Sequence, residues 1–287
     1  MNKLYYQIIS VLLVLVSAPV AYKARFLDAS GTLAASLLGV IVGVTQGPVF
    51  LLLLMLFLGT NSVFTKIGYV KKALAGAAEP KGGARTWRSV VANGLVATIF
   101  AVLGVFSHSL FVIVGMLAAL SAASADTTAT EIGLLSNSKP RLITDWSEVA
   151  AGTSGGVTPL GFFGAFLGAA IMALTSVILV FFIWPRLPNA LFSFDPVKGS
   201  VTKPWSYAFS VLIGGFCGSI FDSVLGATVQ AKYKCVSCSA LTEKRKVHCN
   251  KPVRFYSGVR WIDNDFVNLI SCFAGSAVGL LSFLLLR

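Results

Sequence analysis

Ser121-Ala-Ala-Ser-Ala-Asp126-Thr-Thr-Ala-Thr-Glu131-Ile-Gly133, followed after a polar stretch by Gly152-Thr-Ser-Gly-Gly-Val-Thr-Pro-Leu-Gly161, is the part of the chain whose reading decides the fold. An apolar segment beginning near His108 runs straight into Asp126 and Glu131, which puts two carboxylates at or just below a membrane surface. Charge in that position is expensive and marks a functional candidate. Lys139, Arg141 and the run containing Gly152, Thr153, Gly155 and Gly156 come next and lead into another apolar segment. Carboxylates, cations and exposed backbone amides together suit a metal-bound polyphosphate.

Outward from this stretch, the composition is that of a membrane protein. Of the 287 residues, 56% are hydrophobic and 12% charged, and the mean hydropathy is +0.81, outside the range of soluble domains. The expected fold is all-α, a polytopic helical bundle of about eight transmembrane helices. Residues 4–21 are long enough for the first crossing, for which about 20 residues are needed. Lys3 before them and Ser17-Ala18-Pro19-Val20-Ala21 at their end also fit a signal peptide, but topology favours a retained helix. In the second segment Gly31, Ala35, Gly39 and Gly43 share a face that allows close helix packing. Asp28 either caps that helix or contacts substrate. Gln46-Gly47-Pro48 turns into a third segment ending near Phe64. The fourth spans 89–107, the fifth starts at His108, the sixth covers Val157–Trp184, the seventh 205–230 and the eighth 265–286. No connection is large enough for a second domain, so residues 1–287 form one membrane-embedded domain with loops 65–88, 125–154 and 231–264.

The first and last of those loops are basic. Residues 65–88 hold Lys66, Lys71, Lys72, Lys81, Arg85 and Arg88 against Glu79 alone. Lys81-Gly82-Gly83-Ala84-Arg85 sets two flexible glycines between cations, which suits an anion site as well as a lipid-facing basic loop. Asn93 lies one turn into the next helix. With eight crossings, 18 of the 23 Lys and Arg residues fall on the side of these loops. That side is therefore expected to be cytoplasmic, or stromal in a plastid.

The seventh segment repeats the theme of the fifth. Gly215, Gly218, Asp222 and Gly226 share a helical face, and Gln230 follows one turn on. The eighth opens with Asp263-Asn264-Asp265-Phe266-Val267-Asn268, where one of the first two residues is an N-cap and Asp265, Asn264 and Asn268 remain as oxygen donors. Cys235-Val-Ser-Cys238 followed by His248-Cys249 is half of a zinc-ribbon pattern. Adjacent His and Cys side chains do not converge readily on one tetrahedral ion, so zinc at Cys235, Cys238 and Cys249 is not expected.

Ser124-Ala-Asp-Thr-Thr-Ala-Thr-Glu-Ile-Gly133, Lys139-Pro-Arg-Leu-Ile-Thr144 and Gly152-Thr-Ser-Gly-Gly-Val-Thr158 resemble the transmembrane protein 19 family, also called domain of unknown function 92. So do Leu27-Asp-Ala-Ser-Gly31, Gly82-Gly-Ala-Arg85 with Ala92-Asn-Gly94, Asp222-Ser-Val-Leu-Gly-Ala-Thr-Val-Gln230 and Asn264-Asp-Phe-Val-Asn268. The resemblance covers about residues 23–285. It implies an integral-membrane kinase of isoprenyl phosphates, whose photosynthetic members phosphorylate phytyl phosphate to the diphosphate for tocopherol synthesis. Asp126, Ala129 and Gly133 are also faintly similar to CTP-dependent dolichol kinases and phosphatidate cytidylyltransferases. The Glu-Gly pair of those enzymes is split here, with Glu148 separated from Gly152.

Such a transfer gathers negative charge, so Mg2+ and cations are expected rather than a covalent nucleophile. Asp126, Asp222 and Asp265 are the expected metal ligands. Arg85, Lys139 and Arg141 would neutralise phosphates, and Lys81, Gly82, Gly83, Asn93, Gly152, Thr153, Gly155 and Gly156 would bind the nucleotide, CTP by the resemblance. In an unbroken helix Asp126 and Glu131 stand about 140° apart, so Glu131 is expected to orient Lys139 or Arg141 instead. Asp28, Gly39, Gly218, Gln230, Asn264 and Asn268 are candidates for the lipid. The partners are then an isoprenyl phosphate, a nucleotide and the bilayer, with no nucleic acid. The competing class is a lipid or small-molecule transporter, suggested by small-residue helices and intramembrane acids.

Overall fold

The computed structural model describes residues 3–74, 77–78, 80–107, 109–183, 204–238, 241–243, 245–248 and 251–286. Glu79, His108, the connection at 184–203 with Asp195, and Cys249 lie outside the described residues. Among those described, eight helices are long and apolar enough to cross a membrane. They are α1 (Lys3–Lys23), α2 (Ala29–Gln46), α3 (Pro48–Lys66), α5 (Trp87–Ser107), α6 (Leu110–Gly133), α7 (Pro159–Val177), α8 (Pro204–Thr228) and α9 (Asn264–Leu286), with a short α4 (Tyr69–Leu74) after α3. Local chemistry sets their ends. Asp28, Ser109 and Thr158 accept from the amides of Gly31, Phe111 and Gly161, capping α2, α6 and α7. Prolines open α3 and α7, where an amide would have no partner.

α6 is the most buried of the spans. Its Ala118–Ala125 run carries only small side chains besides Leu120, and glycines of three other helices face it. A Cβ added at Gly215 would lie 2.0 Å from Ser121 Oγ, at Gly218 2.5 Å from Ala122 Cβ, at Gly168 2.7 Å from the Ser124 carbonyl and at Gly279 2.6 Å from Ala118 Cβ. The backbones of α7, α8 and α9 thus lie directly on α6, where hydrocarbon-rich surroundings make close packing the main source of association. Gly218, expected at the lipid, is one of these packing residues. On the opposite side α3 and α5 close the core through Phe50, Val96, Leu117 and Leu120, and Gln46 of α2 donates to the Ala101 carbonyl of α5 at 2.6 Å. α1 is the outermost span, packed on α2.

Two boundaries differ from expectation. α6 continues about two turns past Asp126 to Gly133, so Asp126 and Glu131 both stand on helix and the loop placed at 125–154 begins after Gly133. Residues 231–264 are more than a loop. They carry a small antiparallel sheet of β3 (Lys232–Cys235), β4 (Leu241–Thr242), β5 (Val247–His248) and β6 (Lys251–Ser257), in the order β4-β3-β6-β5. A second pairing joins β1 (Arg141–Leu142) to β2 (Gly156–Val157). Both sheets lie on the side where α6 and α8 end.

Candidate active site

Two motifs far apart in sequence fix one cation. The Phe26 carbonyl accepts from the Arg85 amide and the Arg85 carbonyl accepts from the Asp28 amide, both at 3.0 Å, so the 26–28 segment and the 84–86 segment run side by side. The fit needs glycine at position 31, where a Cβ would fall 2.2 Å from the Arg85 carbonyl oxygen. Lys81, in the left-handed region with Gly82 and Gly83, meets Asp28 at 2.6 Å. That ammonium, with the Gly31 amide, holds the Asp28 carboxyl well below the usual carboxylate range. Asp28 is therefore a helix cap and ion-pair partner, and Lys81 is its counter-ion. Arg85 itself reaches across to Thr127 Oγ1 at 3.4 Å and lies close enough to act on the neighbouring Asp126 carboxyl.

Asp126 on α6 and Asp222 on α8 meet. Their carboxyl groups are in side-chain contact; Asp222 is buried and Asp126 half-buried. The Asn268 amide, from one turn into α9, donates to Asp222 Oδ2 at 3.0 Å and to the Asn264 carbonyl at 3.2 Å, and Ser271 lies beside the same carboxyl. Two carboxyls in contact require a proton or a cation between them. The pair sits near the ends of α6 and α8, so it faces the basic loops rather than the bilayer centre.

Glu243 and Lys232 also belong to this neighbourhood, and the sequence reading had neither. Glu243 follows β4, accepts from Ser154 Oγ at 2.5 Å, and acts electrostatically on both Asp126 and Asp222. Lys232 is buried and donates to the Ala227 carbonyl at the end of α8 at 2.9 Å. Burial pushes its ammonium below the usual lysine range, against the opposing pull of Glu243 and Asp145. The available signal was the period-two alternation of Lys232-Tyr233-Lys234-Cys235 and Val253-Arg254-Phe255, which predicts strands.

The glycine run reaches the site by packing. Gly155, at φ +77°, lies so near α8 that a Cβ would be 2.4 Å from the Ala227 amide nitrogen. At Gly226 the same addition would approach the Gly155 amide at 2.9 Å. Because Gly226 is one turn from Asp222, the run from Gly152 through buried Thr153 to Gly156 stands beside the carboxyl pair.

Several expected members lie elsewhere. Glu131 pairs with Lys72 at 2.5 Å in the interior, and the same ammonium donates to the Phe64 and Thr65 carbonyls, both at 3.1 Å. It does not orient Lys139 or Arg141. Those two lie on the exposed β1–β2 region with Glu148, at 3.2 and 3.5 Å. Asp265 pairs with Arg88 at 3.3 Å, while Asp263, beside it, accepts from the Phe266 amide at 3.1 Å and is the cap. Asp265 is thus paired with a loop cation and, among the described residues, is not grouped with the two carboxyls as a third metal ligand. Asn93 donates to the Ser89 carbonyl of its own helix at 2.8 Å. Gln230 is buried after α8, where its backbone bridges to Val259. Cys235 is buried, Cys238 is exposed, and Cys249 lies outside the described residues. Among the described residues no three Asp, Glu, His or Cys side chains come together as a metal-holding group. The donor set at Asp126 and Asp222 nonetheless fits Mg2+, which commonly takes one or two carboxylates and completes its shell with water and substrate phosphates.

A family model described as Integral membrane protein DUF92 matches residues 12–276. Protein PGR of Arabidopsis thaliana is 32% identical over 268 residues, covering 88% of this chain and 87% of that protein. An uncharacterized membrane protein of Methanocaldococcus jannaschii is 28% identical over 275 residues, 96% of this chain and 93% of that one. Protein VTE6, chloroplastic, of Arabidopsis thaliana is 24% identical over 260 residues, 89% of this chain and 65% of that protein. No solved structure matches the chain.

Proposed function

Because this chain belongs to the integral membrane family DUF92, we propose that it is a phosphotransferase that converts an isoprenyl monophosphate such as phytyl phosphate to the diphosphate, with a nucleoside triphosphate, CTP by resemblance, as donor. The observation that carries this reading is the contact of the Asp126 and Asp222 carboxyls next to Arg85, toward the ends of two predominantly apolar helices. A soluble donor and a membrane-bound acceptor can meet at that depth.

The chemistry asks little covalent work of the protein. A phosphate monoester is largely dianionic at neutral pH, with a second pKa of about 6, so no base is needed to activate it. Its oxygen attacks the γ-phosphorus; the bond from that phosphorus to the β–γ bridging oxygen breaks, and the nucleoside diphosphate leaves with the electron pair. Asp126 and Asp222 would hold Mg2+, which supplies charge neutralisation between the phosphates. Asn268 fixes the orientation of Asp222, and Arg85 offers its planar fork of donors to the acceptor phosphate. The buried Lys232 and the glycine run beside α8 stand where donor phosphates would approach. The basic side is then the cytoplasmic side, or the stromal side in a plastid, where the nucleotide is available.

The test is turnover by the full-length protein purified in detergent. With prenyl monophosphate, CTP and Mg2+, chromatography should show the prenyl diphosphate and a nucleoside diphosphate in equal amounts. Unchanged monophosphate with every common nucleoside triphosphate would remove this reading.

A further inference from the structure

An apolar cavity of about 260 Å³ opens among α1, α2, α3 and α5. Its floor is formed by Val14, Gly39 and Leu51, and Gly39 stands ten residues below the start of α2, about 15 Å at helical rise. The cavity therefore reaches about halfway through the ~30 Å hydrocarbon core. Arg85 lies in its wall at the basic end, and the same guanidinium reaches Thr127, next to Asp126. No other charged residue lines it among the described residues.

Two sequence features find a use here. Ser17, Ala18 and Ala21 of α1 line the cavity, so the small-residue run that also fits a cleavage site supplies its outer wall. Gly59 of α3 lines it as well, and a Cβ added there meets no atom within 4 Å. Most glycines in this bundle bring backbones together, whereas Gly59 leaves space. Protein interiors hold few voids much larger than a water, and an apolar wall without a neighbour forfeits its dispersion contacts. A hydrocarbon chain restores them.

We propose that this cavity holds the single hydrocarbon chain of a lipid phosphate, with the phosphate on Arg85 at the mouth. A chain this deep and a head this close to Asp126 describe an amphiphile with one anionic end, bound by Arg–phosphate hydrogen bonds and by apolar burial. The identification of that lipid as the acceptor rests on the phosphotransferase reading. The binding itself does not.

The experiment uses the full-length protein in detergent without nucleotide, and a prenyl monophosphate carrying a diazirine at the end of its tail. Photolabelling should map to cavity-lining residues of α1, α2, α3 and α5 and be displaced by unlabelled prenyl monophosphate. Gly59→Leu, which fills open space, should weaken it roughly ten-fold or more while the thermal unfolding of the detergent-solubilised protein is unchanged. Arg85→Met should weaken it with either a long or a short tail. Label scattered over the bilayer-facing surface, or retained at full strength in Gly59→Leu, overturns the assignment. Displacement by phosphatidic acid as effective as by prenyl monophosphate would assign the cavity to bilayer lipid and overturn it too. Specific labelling in a protein that never turns over would sink the phosphotransferase reading alone, and turnover without cavity labelling would sink the cavity alone.

Discussion

Asp126 and Asp222 face each other across the α6–α8 seam, and the consequence of removing either is chemical rather than structural. The seam itself is held by Gly215 and Gly218 against Ser121 and Ala122, so Asp126→Asn and Asp222→Asn should leave the unfolding temperature nearly unchanged. Each should lower turnover by roughly 10²-fold or more, the scale of losing a group that stabilises transition-state charge. Near-normal activity at saturating Mg2+ would remove that residue from the site. Asn268→Ala should act more gently, raising the Mg2+ requirement by about 10–100-fold, as loss of a ligand-orienting bond does. Glu131 makes the contrast. Glu131→Gln strands the buried Lys72 ammonium and should cost about 3–5 kcal/mol of stability, read by denaturation in detergent, whereas the double variant with Lys72→Met should recover most of it. Asp126 and Asp222 were legible in the sequence because an acid inside an apolar segment has few other reasons to be there. The partner of Glu131 was not, since Lys72 reads as one more loop cation until α4 folds back and buries it.

The spans were legible as elements because their apolar runs and capping residues act locally, and the connections were not because their partners are remote. Nothing near Gly31 announces that Arg85 will rest against it, 54 residues on. Gly31→Ala tests that docking. Its methyl group would overlap the Arg85 carbonyl, and overpacking of this kind costs about 1–3 kcal/mol. Stability and turnover should both fall, while Gly59→Ala, which enters open space, should leave stability unchanged. Equal behaviour of the two variants would mean that the contact does not hold in solution. The segment from Lys232 to Ser257 was read by its charge and cysteines, which obscured its strand alternation. Folding it as a sheet brings Glu243 and Lys232 to the ends of α6 and α8, so the segment belongs to the site. Glu243→Gln should therefore change the apparent Mg2+ or nucleotide affinity without loss of fold, seen as a shifted KM at matched thermal stability.

At the scale of the whole molecule, acidic charge is sorted along the membrane normal. Every described Asp and Glu lies at or near the side of the basic loops, so among the described residues no carboxylate stands on the far half to carry a charged solute across the bilayer. The arrangement suits chemistry at one interface. It also predicts topology: in sealed vesicles, a tag near Lys71 should be labelled from one side and a tag at the C-terminus from the other. Labelling of both from the same side would change the number of crossings. The most direct measurement of the central claim follows the label of the donor. Incubated with prenyl monophosphate, Mg2+ and CTP labelled at the γ-phosphate, the purified protein should yield a radioactive prenyl diphosphate. CTP labelled at the α-phosphate should leave the lipid cold, and Asp222→Asn should abolish transfer. Label from the α-phosphate on the lipid, or no transfer from either, would contradict the account.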